Sequence, residues 1–386
     1  MGSHVLSMGV HNLNVSDDIK SIALECGFHR VGITTTEPFI ESAEILASRL
    51  ESGMLKGLGF GVERIRRVTT PGESMPGARS IISVALSYLT IDDLKPVVQP
   101  GLRGRMACFA RGADYHDEMK ARLANLCNTL QHRFGAGADF RAFCDTGPLS
   151  DRSAAIRAGV GSQGRNGCVY IADYGSWVVL GAIITSIELQ PDMPSTEEIC
   201  GNCRKCIDAC PTGAISESGA IDARICLSQV TQSKGRIPRE IRSKLKTRIY
   251  GCDTCQEVCP LNRQAECGDI TAFRWESGLG GNAHLLPLIN INAKDFKTVI
   301  APSTAGWIGR TRFRRNAIIA AGNAGDSEAV PELIAALTDS EPVIRGHAAW
   351  ALGEIGGQNA FDAFKIALSI ETDDIAVDEI ESALKD

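Results

Sequence analysis

Apolar side chains recur at two different spacings along the first half of the chain. Between His116 and Phe134 they fall three and four positions apart, which predicts an amphipathic helix. Ser80–Tyr88 is instead rich in β-branched residues with polar residues interspersed, which predicts a strand. Signals of both kinds alternate over residues 14–192, so we predict an α/β domain there. The same patterns predict helices over 17–26 and 150–158 and strands over 30–33, 141–145 and 177–187.

A 31-residue repeat organises the end of the chain. Residues 314–325 align with 345–356, and residues 330–337 align with 361–368, both at the same offset of 31. This periodicity is typical of α-helical HEAT-like repeats. Two such units cannot bury a core alone, so we expect them to pack against the preceding domain. A connection rich in glycine and asparagine comes before them, and we assign residues 278–386 to a linker and helical repeats.

The length of 386 residues allows two or three domains, and 44% hydrophobic with 22% charged residues is ordinary for a globular protein. The sequence contains neither a membrane-length apolar run nor a signal peptide. Its 14 cysteines fit a reducing compartment. We therefore expect a cytoplasmic protein with no membrane partner. Residues 1–13 are predicted to be an expression tag or disordered start.

Positive charge is concentrated although the net charge is −6. Residues 231–248 carry seven lysines and arginines and one acidic residue, and a second arginine cluster lies between Arg310 and Arg315. One-sided patches of this kind favour a partner with a phosphate backbone. The alternative is a solvated helix face, although such faces usually mix both signs. The charge pattern leaves both interpretations open.

Cysteine spacing is the strongest chemical signal. Cys200–Pro211 matches C-x2-C-x2-C-x3-C-P, the bacterial spacing for paired iron–sulfur clusters. The second run, Cys252–Pro260, lacks one cysteine that Cys226 can supply. The cysteine before each proline ligates the other cluster, so residues 193–277 are predicted to form a ferredoxin-like domain with two 4Fe–4S clusters. One predicted ligand set is Cys200, Cys203, Cys206 and Cys259, and the other is Cys210, Cys226, Cys252 and Cys255.

Other uses of these cysteines fit less well. A zinc ribbon needs four ligands rather than eight, and a disulfide framework belongs to small secreted chains. Two clusters leave three classes of function open: an electron carrier, an enzyme whose clusters feed a site in the α/β domain, and an RNA-binding repeat protein with structural clusters. The long α/β domain exceeds what a carrier needs, which favours the enzyme.

Further motifs resemble those of epoxyqueuosine reductases. They include residues 110–116 (ARGADYH), residues 145–148 (DTGP), residues 234–238 (KGRIP) and residues 250–256 (YGCDTCQ). The resemblance runs from about residue 15 to the end of the chain. It implies a base-off cobalamin in the α/β domain. It also implies the two-electron deoxygenation of epoxyqueuosine to queuosine at the wobble position of tRNA, with electrons from an external donor.

The chain departs from the family pattern at three positions. Arg165 stands where lysine is usual, Asp151 where glutamate is usual, and Leu261 where tryptophan is common. The cobalamin signature D-x-H-x-x-G is also missing, because Met119 occupies the place of its glycine. A histidine ligand to cobalt is therefore not expected, and we assign His116 a structural role at the start of its helix.

Asp145 ends a strand before a rigid Gly–Pro turn. This position alone leaves a turn-capping role open, but the resemblance favours catalysis, and we predict that Asp145 is the general acid. An apolar site is expected to raise its pKa so that it holds a proton near neutral pH. The resemblance implies further contacts with the cofactor and with tRNA. The cofactor contacts are Arg67, Cys108, Asp145, Val169, Ser228, Asp253 and Thr254. The tRNA contacts are Lys234, Arg236, Arg312, Arg315 and Arg345.

Together these features predict an α+β multidomain oxidoreductase that acts as a monomer. The main alternative is a reductive dehalogenase-like enzyme, a distant relative with similar cofactors. Those enzymes usually carry an export signal and lack the helical repeats. A second alternative is a ferredoxin-type carrier fused to an RNA-binding repeat module.

Overall fold

The computed structural model describes residues 15–95 and 100–385. The predicted tag at residues 1–13 lies outside this range. Within the described residues, no helix is both long enough and apolar enough to cross a bilayer.

The N-terminal region alternates helices and strands, as the sequence predicts. Its elements, in chain order, are α1 (15–25), β1 (Arg30–Thr35), α2 (Ile40–Glu51), α3 (Val62–Thr69), β2 (Ser80–Ser87), β3 (Arg103–Met106), α4 (Tyr115–Phe134), β4 (Phe140–Phe143), α5 (Asp151–Arg157), β5 (Ser162–Gln163), β6 (Val169–Tyr170) and β7 (Val178–Thr185). The predicted helices over 17–26, 116–134 and 150–158 are confirmed within one or two residues, and the predicted strands are confirmed with end shifts of up to two residues.

The main sheet has the strand order β1-β2-β7-β4, with antiparallel neighbours throughout. Every residue of β2 is buried, because helices cover both faces of the sheet. Ile82 packs with α4 residues such as Met119, whereas Ala85 packs with Ala155 of α5. Gly181 lets α4 approach β7 closely, since a Cβ there would lie 2.7 Å from the Met119 sulfur.

The second half of the chain contains short helices around the cysteines and then longer helices. Its elements are α6 (Lys205–Asp208), α7 (Leu227–Gln232), α8 (Arg239–Leu245), β8 (Arg248–Tyr250), α9 (Thr254–Glu257), β9 (Asn282–His284), α10 (Leu286–Ile289), α11 (Ala293–Asp295), α12 (Arg310–Ala324), α13 (Val330–Ala336), α14 (Pro342–Ile355), α15 (Gln358–Ile370) and α16 (Asp374–Ala383). Thus α12 and α13 align with α14 and α15, as the 31-residue repeat predicts.

A small sheet interlocks the three predicted domains. β3 pairs in parallel with β8 and antiparallel with β9. These strands come from the α/β region, the cysteine-rich region and the linker. One apolar core also extends from Met106 through Tyr250 to Ile318 and Ile380. The helical repeats therefore pack against the cysteine-rich region, as expected for two units that cannot bury a core alone.

A buried carboxylate fixes the last helix to the basic segment. Glu379 on α16 is only 1% exposed and pairs with Arg236 at 2.6 Å, Arg239 at 2.7 Å and Arg242 at 2.5 Å. Burial pushes the pKa of Glu379 upward, but the three guanidinium groups push it down further, so the net shift is downward. Three of the seven cationic side chains in residues 231–248 are therefore held in ion pairs within the protein.

Candidate active site

The short helices of the cysteine-rich region carry or begin at predicted cluster ligands. Cys206 lies in α6 and Cys255 in α9, two helices that pack against each other, while Cys226 stands at the N-terminal cap of α7. Burial raises the pKa of the Cys226 thiol, and the neighbouring Cys252 and Cys255 add to the rise. Cys226 therefore lies beside two of the residues predicted to share its cluster.

Backbone amides support the thiols in the way that iron–sulfur sites require. The Arg165 N–H donates to Cys200 Sγ at 3.2 Å, and the Ala214 N–H donates to Cys210 Sγ at 3.3 Å. Such bonds stabilise cluster sulfur and tune reduction potentials. Among the described residues, no three His, Cys, Asp or Glu side chains gather around a single metal ion. In a 4Fe–4S cluster each thiolate binds its own iron, so four cysteines hold one cluster.

Arg165 links the α/β region to the first cysteine run. Its guanidinium donates to the carbonyls of Cys203 and Gly201, both at 2.9 Å. The planar fork of an arginine suits two separate acceptors. The arginine that stands in place of the usual lysine thus holds the loop around two predicted ligands.

Cys168 is a site residue that no sequence pattern indicated. We expected it to be structural, but its half-buried thiol lies near Cys255, which lowers the pKa of the Cys168 thiol. It also lines a cavity of about 270 Å³. Its position beside the second cysteine run in the fold, 87 residues away in sequence, gives no local signal.

Two adjoining cavities form a cleft between the predicted acid and the predicted clusters. The outer cavity, of about 420 Å³, is lined by Asp145, Asp151 and Arg152 among others. The inner cavity, of about 270 Å³, reaches Gln256 on α9. Both are bordered by the apolar strand residues 178–180 and by Tyr115 and Arg152. The cleft is large enough for part of a sizeable ligand and ends one residue from Cys255.

Asp145 occupies a tight turn at the end of β4. Its φ of +54° is in the left-handed region, which aspartate and asparagine tolerate better than most residues. Its backbone N–H donates to Asp151 Oδ2 at 2.8 Å. Its carboxylate Oδ2 accepts from the Tyr115 hydroxyl at 3.3 Å and lies 3.4 Å from His116 Nε2. The side chain remains 60% exposed.

These contacts correct the expected pKa of Asp145. The hydrogen bond from His116 lowers the pKa of this carboxyl more than desolvation raises it, and Tyr115 lowers it further. The sequence predicted a raised pKa from apolar surroundings, but the periodic pattern of α4 did not reveal that two polar side chains of its first turn face Asp145.

His116 is the second group that the sequence placed in a different role. Its ring stacks on Tyr115 with centroids 4.0 Å apart, and Nδ1 lies 2.7 Å from Asp114 Oδ1. Hydrogen bonds with Asp114 and Asp145 raise the pKa of His116 to about 9. His116 does begin a helix as expected, but it also bridges two carboxylates at the cleft.

Asp151, where the family usually has glutamate, supports the same turn from α5. Burial raises the pKa of Asp151 to about 7, while the Asp145 N–H bond lowers it and the charge of Asp145 raises it again. Its Oδ1 atom is buried with no hydrogen-bond partner among the described residues. The left-handed conformation of Asp145 is therefore held by a neighbouring carboxylate.

Asp253, a predicted cofactor contact, is a buried hydrogen-bond acceptor beside another predicted contact, Cys108. Asp253 Oδ2 accepts the Cys108 N–H at 2.7 Å, whereas Asp253 Oδ1 is buried without a partner in the described part of the chain. Burial raises the pKa of Asp253 to about 6, and nearby Arg111 opposes the rise. Buried acceptors are rarely left unpaired, so this atom fits a donor supplied by a bound cofactor.

The other predicted cofactor contacts divide into two groups. Val169 lines the inner cavity. Arg67 instead borders a third cavity, of about 450 Å³, together with Thr146–Pro148 after Asp145. Thr254 accepts a hydrogen bond from Arg248 at 2.7 Å, and the Ser228 carbonyl accepts one from Thr231 at 2.8 Å. Val169 therefore lines the cleft, and Cys108 with its hydrogen-bond partner Asp253 lies next to it, because the following residue, Phe109, lines the inner cavity.

Three predicted RNA contacts remain accessible. Lys234 is exposed at the start of the loop before α8. Arg236 is 33% exposed but pairs with Asp378 and Glu379. Arg312 donates to the Gln232 carbonyl at 2.9 Å and is partly exposed.

The structure corrects the predictions for Arg315 and Arg345. Arg315 is 1% exposed and donates to the carbonyls of Ser233 and Gly235, both at 2.7 Å. Arg345 forms a paired interaction with Glu371 at 2.5 and 2.6 Å. Both guanidinium groups are already bound within the protein. Arg315 therefore stabilises the loop at residues 233–235 and Arg345 stabilises the helical repeats, rather than presenting charge to RNA.

Trp307 is an exposed aromatic residue that none of the sequence patterns above indicated. It is 59% exposed, lies under the Arg312 guanidinium at 5.3 Å and donates through Nε1 to the Tyr250 hydroxyl at 2.8 Å. An aromatic residue beside an arginine cluster is the signal that could have indicated it, because such residues can stack on nucleic-acid bases.

Family models match three parts of the chain: a 4Fe-4S double cluster binding domain at residues 199–262, "Epoxyqueuosine reductase QueG, DUF1730" at 69–146 and HEAT repeats at 310–385. The fold and the cleft thus define an iron–sulfur oxidoreductase with a helical-repeat tail. Epoxyqueuosine reductase from Bacillus cereus is 36% identical over 373 residues, which cover 96% of this chain and 97% of that protein. The chain belongs to the epoxyqueuosine reductase family.

Solved structures agree with this assignment. An epoxyqueuosine reductase crystallised with an epoxyqueuosine-modified stem loop of tRNA-Tyr has a TM-score of 0.89 at 34% identity, covering 96% of this chain and 98% of that chain. The Bacillus subtilis enzyme, with an aspartate-bearing catalytic loop swung out of the active site, has a TM-score of 0.90 at 35% identity, covering the same shares. The predicted fold class, the two 4Fe–4S clusters and the family resemblance are confirmed.

Proposed function

We propose that this chain reduces epoxyqueuosine to queuosine at the wobble position of tRNA, using cobalamin and two 4Fe–4S clusters. The observation that carries the proposal is the cleft, which runs from Asp145 to Gln256, the neighbour of Cys255. The proposed proton donor and the neighbour of a proposed cluster ligand therefore lie in the same cleft. A relative that covers this chain almost completely holds an epoxyqueuosine-modified tRNA stem loop.

The chemistry requires both groups. Removal of the epoxide oxygen as water breaks two carbon–oxygen bonds, forms one carbon–carbon double bond and consumes two electrons and two protons. Asp145 is the proposed proton donor to the departing oxygen. The clusters, held by the eight predicted cysteine ligands, would supply single electrons received from an external donor. Bound cobalamin would collect those electrons for a two-electron reduction.

Residues around the cleft would hold the cofactor. The unpaired Oδ1 of Asp253, the neighbouring Cys108 and the apolar Val169 are the best-placed candidates, and Asp145 faces the same space. Arg67, Ser228 and Thr254 are assigned outer contacts with the cofactor. These residues orient the ligand and exclude water, while the departing oxygen faces Asp145.

The accessible basic and aromatic residues support an RNA surface beside the cleft. Lys234 and Arg312 present positive charge, and Trp307 offers a face on which a base can stack. Trp307 is bonded to Tyr250, which lies close to Asp145. This surface therefore continues toward the proposed acid. We further propose that the enzyme acts as a cytoplasmic monomer.

Nucleoside mass analysis tests the proposal. Protein with reconstituted clusters and cobalamin is incubated anaerobically with epoxyqueuosine-bearing tRNA and a strong reductant. The proposed activity converts the modified nucleoside to a product lighter by one oxygen atom, and the conversion requires both cobalamin and reductant. An unchanged nucleoside, with clusters and cobalamin shown to be bound, contradicts the proposed function.

We expect Lys234→Gln to weaken binding of epoxyqueuosine-bearing tRNA and to make that binding less dependent on salt. Loss of one phosphate contact reduces the slope of log K against log salt by about 0.7–0.9. Dissociation constants measured at several salt concentrations give this slope. Lys365→Gln on exposed α15 is the matched control and leaves the slope unchanged. An identical slope in both variants would remove Lys234 from the RNA surface.

A further inference from the structure

A continuous row of polar groups leads from the helical tail to Asp145. The Thr304 hydroxyl donates to Asp114 Oδ1 at 3.4 Å, and the same carboxylate oxygen lies 2.7 Å from His116 Nδ1. On the other side of the ring, His116 Nε2 lies 3.4 Å from Asp145 Oδ2. Asp114 also caps α4 by accepting the His116 N–H at 3.0 Å. The imidazole is therefore fixed between two carboxylates.

We propose that His116, held by Asp114, is a positioning residue that keeps Asp145 in place and resupplies it with the proton delivered to the departing oxygen. The proposal rests on the proposed function and extends it from one acid to an Asp–His–Asp chain. His116 does not reach the outer cavity lining itself, whereas Asp145 does. The histidine thus acts through the aspartate.

The geometry gives the proton a defined route. With both ring nitrogens protonated, Nδ1–H donates to Asp114 and Nε2–H donates to Asp145. Transfer of the Nε2 proton to Oδ2 makes Asp145 a neutral acid, which then protonates the departing oxygen. Solvent reprotonates the ring, so the same route delivers both protons of the reaction. The two electrons would be supplied by the external donor, with the clusters as carriers.

The resting charges of the pair agree with this route. Its hydrogen bonds with Asp114 and Asp145 raise the pKa of His116 to about 9, and the bond from His116 lowers the pKa of Asp145. Near neutral pH the pair is an imidazolium beside a carboxylate and stores one proton. Other titratable or charged groups surround the pair and are unchanged in the variants of His116 and Asp114. They are Tyr115, Lys120, Cys144, Asp151, Arg152 and Tyr250.

The pH dependence of single-turnover deoxygenation, with the clusters reduced beforehand, tests the proposal. The wild-type rate is expected to hold until about pH 9 and then fall, because the imidazolium loses its proton there. In His116→Asn, the rate at neutral pH falls about 10³-fold, because an aspartate with an ordinary pKa of about 4 is then protonated in only about one molecule in a thousand. The fall with rising pH also begins earlier, because an unassisted aspartate has an ordinary pKa of about 4.

Two further variants separate proton supply from a structural role. Asp114→Asn removes the negative charge beside the ring, which lowers the pKa of His116, so the alkaline fall moves to lower pH by a smaller amount. Added imidazole restores part of the rate of His116→Ala. His132→Ala, in the last turn of the same helix, is the matched control. It keeps the wild-type pH profile, and added imidazole does not change its rate.

The outcomes distinguish the inference from the function on which it rests. A wild-type enzyme that removes no oxygen at any pH overturns the proposed function. An active wild type whose His116→Asn variant is slowed equally at every pH, with no imidazole rescue of His116→Ala, overturns the proton-supplying role alone. A shifted alkaline limb together with rescue supports it.

Discussion

Asp145→Asn is expected to reduce deoxygenation of epoxyqueuosine in tRNA by about 10²–10⁴-fold, the usual contribution of a positioned general acid. Asparagine cannot release a proton at this position, but it tolerates the left-handed backbone conformation that Asp145 adopts. The turn, the cleft and the RNA surface therefore remain intact. Single-turnover rates and tRNA dissociation constants measure the two effects separately.

Asp139→Asn provides the matched control, because Asp139 is an exposed aspartate just before the same strand β4. We expect it to retain the wild-type rate. A variant of Asp145 that keeps more than about half of the wild-type rate, with normal tRNA binding, would assign the acid to another group. The buried Asp151, with its pKa raised to about 7, would then be the next residue to replace.

Cys226→Ser is expected to abolish turnover and to lower the iron content from about eight to about four atoms per chain. Cys226 is the ligand that the second cysteine run lacks, and it stands beside Cys252 and Cys255 in the fold. A serine hydroxyl is a harder and much less acidic donor than a thiol, so it binds cluster iron more weakly than a thiolate does. Iron analysis and the visible absorbance of the anaerobic protein report the loss, and circular dichroism reports whether the helices persist.

Cys267→Ser is the control for this experiment. Cys267 is half-buried and lies after the second cysteine run, outside both predicted ligand sets. It should retain full iron content and activity. If Cys226→Ser also retains about eight iron atoms, the ligand assignment needs a different eighth cysteine. Cys168, whose thiol lies near Cys255, is the candidate for that position.

The burial of charged residues explains which predictions about the RNA surface changed. By sequence alone, residues 231–248 form one patch of positive charge. Glu379, about 130 residues later in the chain, pairs with Arg236, Arg239 and Arg242. A sequence window cannot detect such a partner. Lys234 keeps its exposure because it precedes these pairs on a loop, so it is the sharper probe of RNA binding.

The spacing of residues along the chain predicted the cluster ligands and much of the fold. A cysteine pattern specifies cluster ligands directly, because the ligands of one run lie on a single turn of chain. The three-and-four periodicity of α4 and the β-branched content of β2 likewise depend on neighbouring residues, and so does the 31-residue repeat. Spacing along the sequence therefore predicted the clusters and the fold class, whereas Asp145 as the candidate acid followed from the family resemblance.

Only the tertiary structure decided the chemical state of that acid. His116 and Asp145 are 29 residues apart and meet because α4 packs across the sheet that ends at β4. That contact lowers the pKa of Asp145, where local sequence predicted a rise. Long-range packing likewise buried Arg315 and placed Cys168 beside Cys255. Sequence motifs identify the reactive residues, but their protonation and accessibility depend on neighbours that folding brings from distant segments.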